Sequence, residues 1–208
     1  MYPTRCSGIV SPGKWRCHCS ANPAKRGPVP VDYAGLYSGM SSQMMAPKRA
    51  MLCHFLAALA YRTQKALRGA PAGFADFDAG KKTRTPKELL RHMSGVVGYA
   101  RTFLIGGSYK AEPLETMADE IIRFHSLLDD VARHLANGSP LAGIGEEQLL
   151  QGPFSDAMTH AGQLALLRRL AGVPVAPENF VFADIRHDHL GPDQPAPVAP
   201  DAMWPERL

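Results

Sequence analysis

Apolar residues recur at helical spacing from Ala46 onward. Met51, Leu52, Phe55, Leu56, Leu59 and Ala60 fall three and four positions apart, and the run continues to about Leu67, ahead of Gly69 and Pro71. That spacing predicts a first helix with one face turned inward, and the Gly and Pro beyond it are ordinary exit signals. A loop over 69–85 follows, rich in Gly and Asp, with Phe74 and Phe77 as the expected anchors. Thr85-Pro86-Lys87-Glu88 then announces a second helix. A threonine cap, a proline at the first helical position and a glutamate at the third are the residues that satisfy an opening helix turn. The predicted stripe is Leu89, His92, Met93, Val96, Tyr99, Ala100 and Phe103, ended by Gly106-Gly107.

A third helix is expected from about Leu114 to Leu135, with Met117, Ile121, Phe124, Leu128, Val131 and Leu135 alternating at four and three residues. This seam suits left-handed bundle packing. A short helical piece near Glu146 to Leu150 precedes a fourth helix from about Pro153, striped by Phe154, Ala157, Met158, Ala161, Leu164, Leu167 and Leu170 and stopped by Gly172 and Pro174. Four long amphipathic helices with no strand period predict an all-α four-helix bundle over 46–175. The long loops after the first and third helices leave the order of neighbours open. Residues 1–45 read as an irregular, disordered basic leader, and 176–208 as an extended Pro-rich tail. Met40, Met44 or Met45 is the expected start of the working protein.

Charge sharpens this division. The 208 residues carry a formal +4, but residues 1 to 75 hold 10 basic and 1 acidic residue, and residues 76 to 208 hold 13 and 18. From Ala46 onward the counts are 18 and 18, so the bundle is balanced and the basic surplus belongs to the leader. Phosphate tracking needs cations clustered on one folded face, so nucleic acid is not an expected partner. No apolar run has the length of a secretory signal core or a membrane span, and a cytoplasmic protein without a membrane partner is expected. Cys6, Cys17 and Cys19 lack the paired spacing of a zinc knuckle, and Cys53 lies in a helical run as a small apolar residue.

The informative polar residues are those that interrupt apolar stripes, because burying an ionisable group is costly unless it is paired or ligated. His92 lies among Leu89, Val96, Tyr99 and Phe103, and His160 among Ala157, Leu164 and Leu167. Asp156 stands four residues before His160 and Gln163 three after it, on the same helical side. If the second and fourth helices are neighbours, His92, Asp156 and His160 converge as two imidazoles and a carboxylate, a set suited to a divalent ion with open positions. The alternative is hydrogen bonding within the protein, His160 to Asp156 and His92 to a carbonyl. His54 and His125 flank their seams and are expected to be half-exposed. His134 lies in a last turn where a cation suits the helix dipole, and His187 and His189 lie in a solvated turn.

Thr85-Pro86-Lys87-Glu88-Leu89-Leu90-Arg91-His92, with Tyr99 downstream, resembles the TPxELLxH-type start of the second helix in DinB/YfiT-like proteins. The segment from Asp156 to Gly172 is similar to that family's last helix and its H-x3-H-x-G-Q signature. The resemblance covers about residues 47 to 185. It implies an up-down-down-up four-helix bundle with one divalent metal, often zinc or nickel, held by three histidines. His92 and His160 match two ligand positions. Asp156 stands where the first histidine of the pair usually is, and a carboxylate favours harder ions, which admits manganese or iron. Gln163 matches the family glutamine, whose expected role is to orient His160 or bound water.

The family's activities are transferases and isomerases that use a low-molecular-weight thiol, and metal-dependent hydrolases. Many members are induced by DNA damage. The expected function is therefore thiol-dependent transfer or metal-dependent hydrolysis of a small-molecule substrate, in a chain that forms a homodimer. A metal-free bundle acting in stress response by interaction is the alternative. The apolar stretch Glu178-Asn179-Phe180-Val181-Phe182-Ala183-Asp184-Ile185 closes the reading. It either covers the bundle's open end, bringing Glu178 or Asp184 to the metal residues, or clasps apolar surface through Phe180 and Phe182.

Overall fold

The Thr85 side chain accepts a hydrogen bond from the Glu88 N–H at 3.3 Å, and the Glu88 carboxylate accepts one from the Thr85 N–H at 3.0 Å. The capping box thus forms as its sequence predicts, and such a cap contributes about 1 kcal/mol. The computed structural model describes residues 45–198, so the expectations for residues 1–44, Cys6, Cys17 and Cys19 among them, and for 199–208 lie outside the described residues. The elements are α1 (Pro47–Leu67), α2 (Pro86–Ile105), α3 (Met117–Ala136), the single turn α4 (Glu146–Leu149) and α5 (Ser155–Leu170), with no strand among the described residues. None of these helices is long and apolar enough to cross a membrane.

Two boundaries differ from the sequence pattern for local reasons. The α3 start moves from Leu114 to Met117 because Thr116 is the residue that caps it, accepting from the Asp119 N–H at 3.1 Å. The α5 start moves from Pro153 to Ser155 because Leu150–Phe154 forms a wide turn, in which Gly152 leaves helical dihedrals (φ −93°, ψ −106°). Pro153 has no N–H to donate there.

Each of the four long helices packs on two others: α1 and α2 both lie against α3 and α5. At the start of α1, Arg49 donates to the Ser139 carbonyl (2.7 Å) just past the end of α3. At the other end of α1, buried Arg168 of α5 donates to the carbonyls of Ala66 (3.0 Å) and Arg68 (2.9 Å), which the helix itself leaves unpaired. Arg101 and Asp130, each near its own helix's C-terminal end, join α2 to α3 in an ion pair. The shared core includes Leu56, Leu90, Met93, Phe124, Leu128, Phe154 and Leu164, all fully enclosed. Each such side chain contributes about 1.5–3 kcal/mol.

Facing two neighbours rotates α2 from its predicted register. Leu89, Met93 and Ala100 of the predicted stripe are buried together with Leu90, Val97 and Leu104, while Tyr99 is exposed and His92, Val96 and Phe103 are half-buried. Met51 and Leu170 are exposed in the same way. Gly98 is needed for packing. The ring of Tyr109, on the loop after α2, lies so close that a Cβ at Gly98 would come within 2.0 Å of it.

The tail folds back on the helices. Glu178 is buried and accepts from Tyr61 Oη (2.6 Å) and Lys65 Nζ (2.5 Å), both on α1. The Arg62 guanidinium lies 4.0 Å over the Phe180 ring. Leu190 is buried, and its carbonyl accepts from His125 Nδ1 at 2.7 Å. His125 is therefore buried, not half-exposed. The clasp expected of the tail is made by Phe180 and Leu190, whereas Phe182 is exposed.

Candidate metal centre

His92 lies in the second turn of α2, and Asp156 and His160 in the first turns of α5, where the two helices face each other. One ligand atom from each of the three falls within 4.8 Å of the others. The two imidazole rings meet edge to face, centroids 4.7 Å apart at 77°. His160 Nε2 is 3.3 Å from Asp156 Oδ1, and His160 Nδ1 is 2.9 Å from Gln163 Oε1. An amide oxygen can only accept, so Nδ1 carries the proton toward Gln163, and Nε2 is the atom turned to the shared centre. Gln163 is thus hydrogen-bonded to His160 on the side away from Asp156.

Burial is graded across the group. His160 is buried, His92 half-buried, and the Asp156 side chain 50% exposed. Burial, then the nearby Arg84 cation, then His160, push the His92 imidazole below its ordinary range, against a smaller opposing effect of Asp156. A neutral imidazole is the form that ligates. His92 has no hydrogen-bond partner among the described residues, so no protein group competes for its lone pair.

The set fits a divalent ion chemically. Bonds of about 2.0–2.2 Å in a tetrahedral site place neighbouring ligand atoms about 3.4 Å apart. The ligand atoms here lie up to 4.8 Å apart, so the widest separation must close by about 1.4 Å for one ion to bind all three. Two imidazoles and one carboxylate leave coordination positions open toward a groove of about 800 Å³, lined by Gly95, Val96, Tyr99, Gln151, Gly152 and Thr159 among others. Much of that wall comes from the wide turn before α5. Gly152-Pro153 is its signal in the sequence, legible as a break but not as a wall.

Other expectations resolve differently. Glu178 is engaged by Tyr61 and Lys65, and Asp184 is exposed. Neither joins the triad, which is the one group of potential ligands found among the described residues. His134 sits at the end of α3 with Ser139 Oγ at 3.1 Å, and His187 is exposed. Arg84 was not singled out by the pattern, because it precedes the cap and breaks no stripe. No protein-family model, curated protein or solved structure matches the chain.

Proposed function

We propose that this chain is a DinB-like four-helix bundle of up-down-down-up order that binds one divalent ion through His92, Asp156 and His160. The ion serves thiol-dependent transfer or hydrolysis of a small molecule. The order is supported by the helix ends: α1 ends where α5 ends, α1 starts where α3 ends, and Arg101 and Asp130 join the C-terminal halves of α2 and α3. The observation that carries the metal reading is the convergence of three ligand atoms from two helices, with Gln163 fixing the His160 tautomer. A divalent ion there supplies Lewis-acid activation of a thiol or water. The chain's own part is to present two imidazoles and one half-exposed carboxylate beside an open groove.

One observation favours the metal-free alternative. Asp156 Oδ1 lies 3.3 Å from His160 Nε2, so an imidazolium that keeps a proton on both ring nitrogens would donate to Gln163 and Asp156 together, with no ion needed. Elemental analysis of wild type and His160→Ala after reconstitution with Zn, Ni, Mn and Fe separates the readings. One equivalent of metal in wild type and none in the variant is expected. No uptake of any of the four by wild type would overturn the metal reading. Asp156→His is expected to shift preference from Mn and Fe toward Zn and Ni.

A further inference from the structure

Beyond Gln163, the seam between α2 and α5 opens into a second, apolar groove. Its floor includes Leu89 and Leu167, both buried, and its wall Leu166 and Leu170, which remain 53% and 56% exposed. The loop before α2 forms the opposite rim, where Lys82 and Arg84 line the opening. Neither cation has a carboxylate partner among the described residues. The two acids of this loop are engaged elsewhere, Asp78 on the Gly80 N–H at 2.8 Å and Asp76 on Lys87 at 3.1 Å.

The groove is joined to the triad at two points. Gln163 lines it while bonding His160. Arg84 lines it while its charge acts on His92. Exposed leucines beside unpaired cations suit a ligand with both an apolar body and a negative charge, because either part alone would leave half of the surface unmatched.

We propose that this groove seats a small amphiphilic anion, with its apolar body on Leu89, Leu166, Leu167 and Leu170 and its carboxylate at Arg84 and Lys82, on the side toward His92. That such an anion is the substrate of the triad rests on the metal-centred reading above; that the groove binds it does not.

The test is calorimetric titration of full-length, chelator-treated protein with hexanoate, octanoate and octanamide. Octanoate is expected to bind about tenfold more tightly than octanamide, the contribution of a charge-assisted contact. It should also bind more tightly than hexanoate, by about twofold to fourfold for each added methylene. Arg84→Ala, at an exposed loop position outside the helices, should remove the preference for octanoate over octanamide. Leu170→Asp, also exposed, should weaken both ligands, and circular dichroism checks that each variant is folded. Equal affinity for octanoate and octanamide, or an unchanged preference in Arg84→Ala, overturns the proposal. Elemental analysis of the same protein keeps the two readings apart: octanoate binding by protein that takes up no metal upholds the groove and removes only the triad as its target.

Discussion

Glu178 and Asp156 are both carboxylates held against a basic side chain, yet their settings are opposite. The Glu178 side chain is wholly enclosed, with Lys65 on one oxygen and Tyr61 on the other. The Asp156 side chain is half in water and 3.3 Å from His160, beside an open groove. A carboxylate with both oxygens engaged has no capacity left for a ligand, and its role is to hold the tail on α1. One that shares a single loose contact and faces a cavity keeps lone pairs to offer. The difference between a tether and a candidate ligand therefore lies in how completely the neighbours satisfy the group, more than in which residue it is.

The largest expected effect falls on the open side. On the proposed metal reading, binding worth about 10 kcal/mol or more would be shared among three ligands, so removing one would cost roughly 3–5 kcal/mol. His92→Ala should therefore lose stoichiometric metal, measured by elemental analysis after dialysis. Against chelator-treated wild type, the variant should unfold in urea within about 1 kcal/mol, since His92 is half-buried and unbonded. A large stability loss in the metal-free variant would show that the open side is structural as well.

On the closed side the effects should reverse. Glu178→Ala leaves the Lys65 ammonium and the Tyr61 hydroxyl without their shared acceptor. Breaking a buried pair costs about 3–5 kcal/mol, and the slight solvent access of Lys65 brings the expectation to about 2–3 kcal/mol. Metal uptake should be unchanged, and a coincident loss of metal would place the tail within the site. Gln163→Ala comes next. Loss of the partner that orients a ligating histidine weakens metal binding about 10–100-fold, read by competition with a chelator. No change in Gln163→Ala would mean that His160 is positioned by α5 alone.

Much of this comparison is legible in the chain itself, and the remainder has definite causes. The Thr85–Glu88 cap, the helix exits and the i, i+4 relation of Asp156 to His160 are local, and local rules describe them. That His92 meets His160 required knowing that α2 packs on α5, which periodicity suggests but does not dictate. The predicted α2 stripe is rotated because a helix with two neighbours buries two overlapping faces, and a single stripe averages them, which is how Tyr99 came to be counted as core. The partners of Glu178 and His125 lie more than 60 residues away in sequence, and a Pro-rich tail carries no periodicity to announce where it docks.

The smallest expected effect concerns pH and the tail's second anchor. His125 donates through Nδ1 to the Leu190 carbonyl, and its Nε2 is buried without a partner. Burial pushes its pKa below the ordinary 6.5, against the weaker opposing effect of the Leu190 carbonyl, and no charged side chain contributes. Below pH 6.5 the unfolded chain therefore binds a proton that the folded chain refuses. Stability attributable to His125 is fully present above 6.5 and declines as pH falls from there toward the lowered folded value. Urea unfolding of the chelator-treated protein between pH 7.5 and 5 should show this decline, and His125→Asn should make it shallower, leaving the part that the likewise lowered His92 contributes. Hydrogen exchange at residues 186–195 should quicken over the same range in wild type if the tail is the part released. Exchange that stays slow there while global stability falls would place the proton's cost in the helical core, and the tail would then be held as firmly as the helices beneath it.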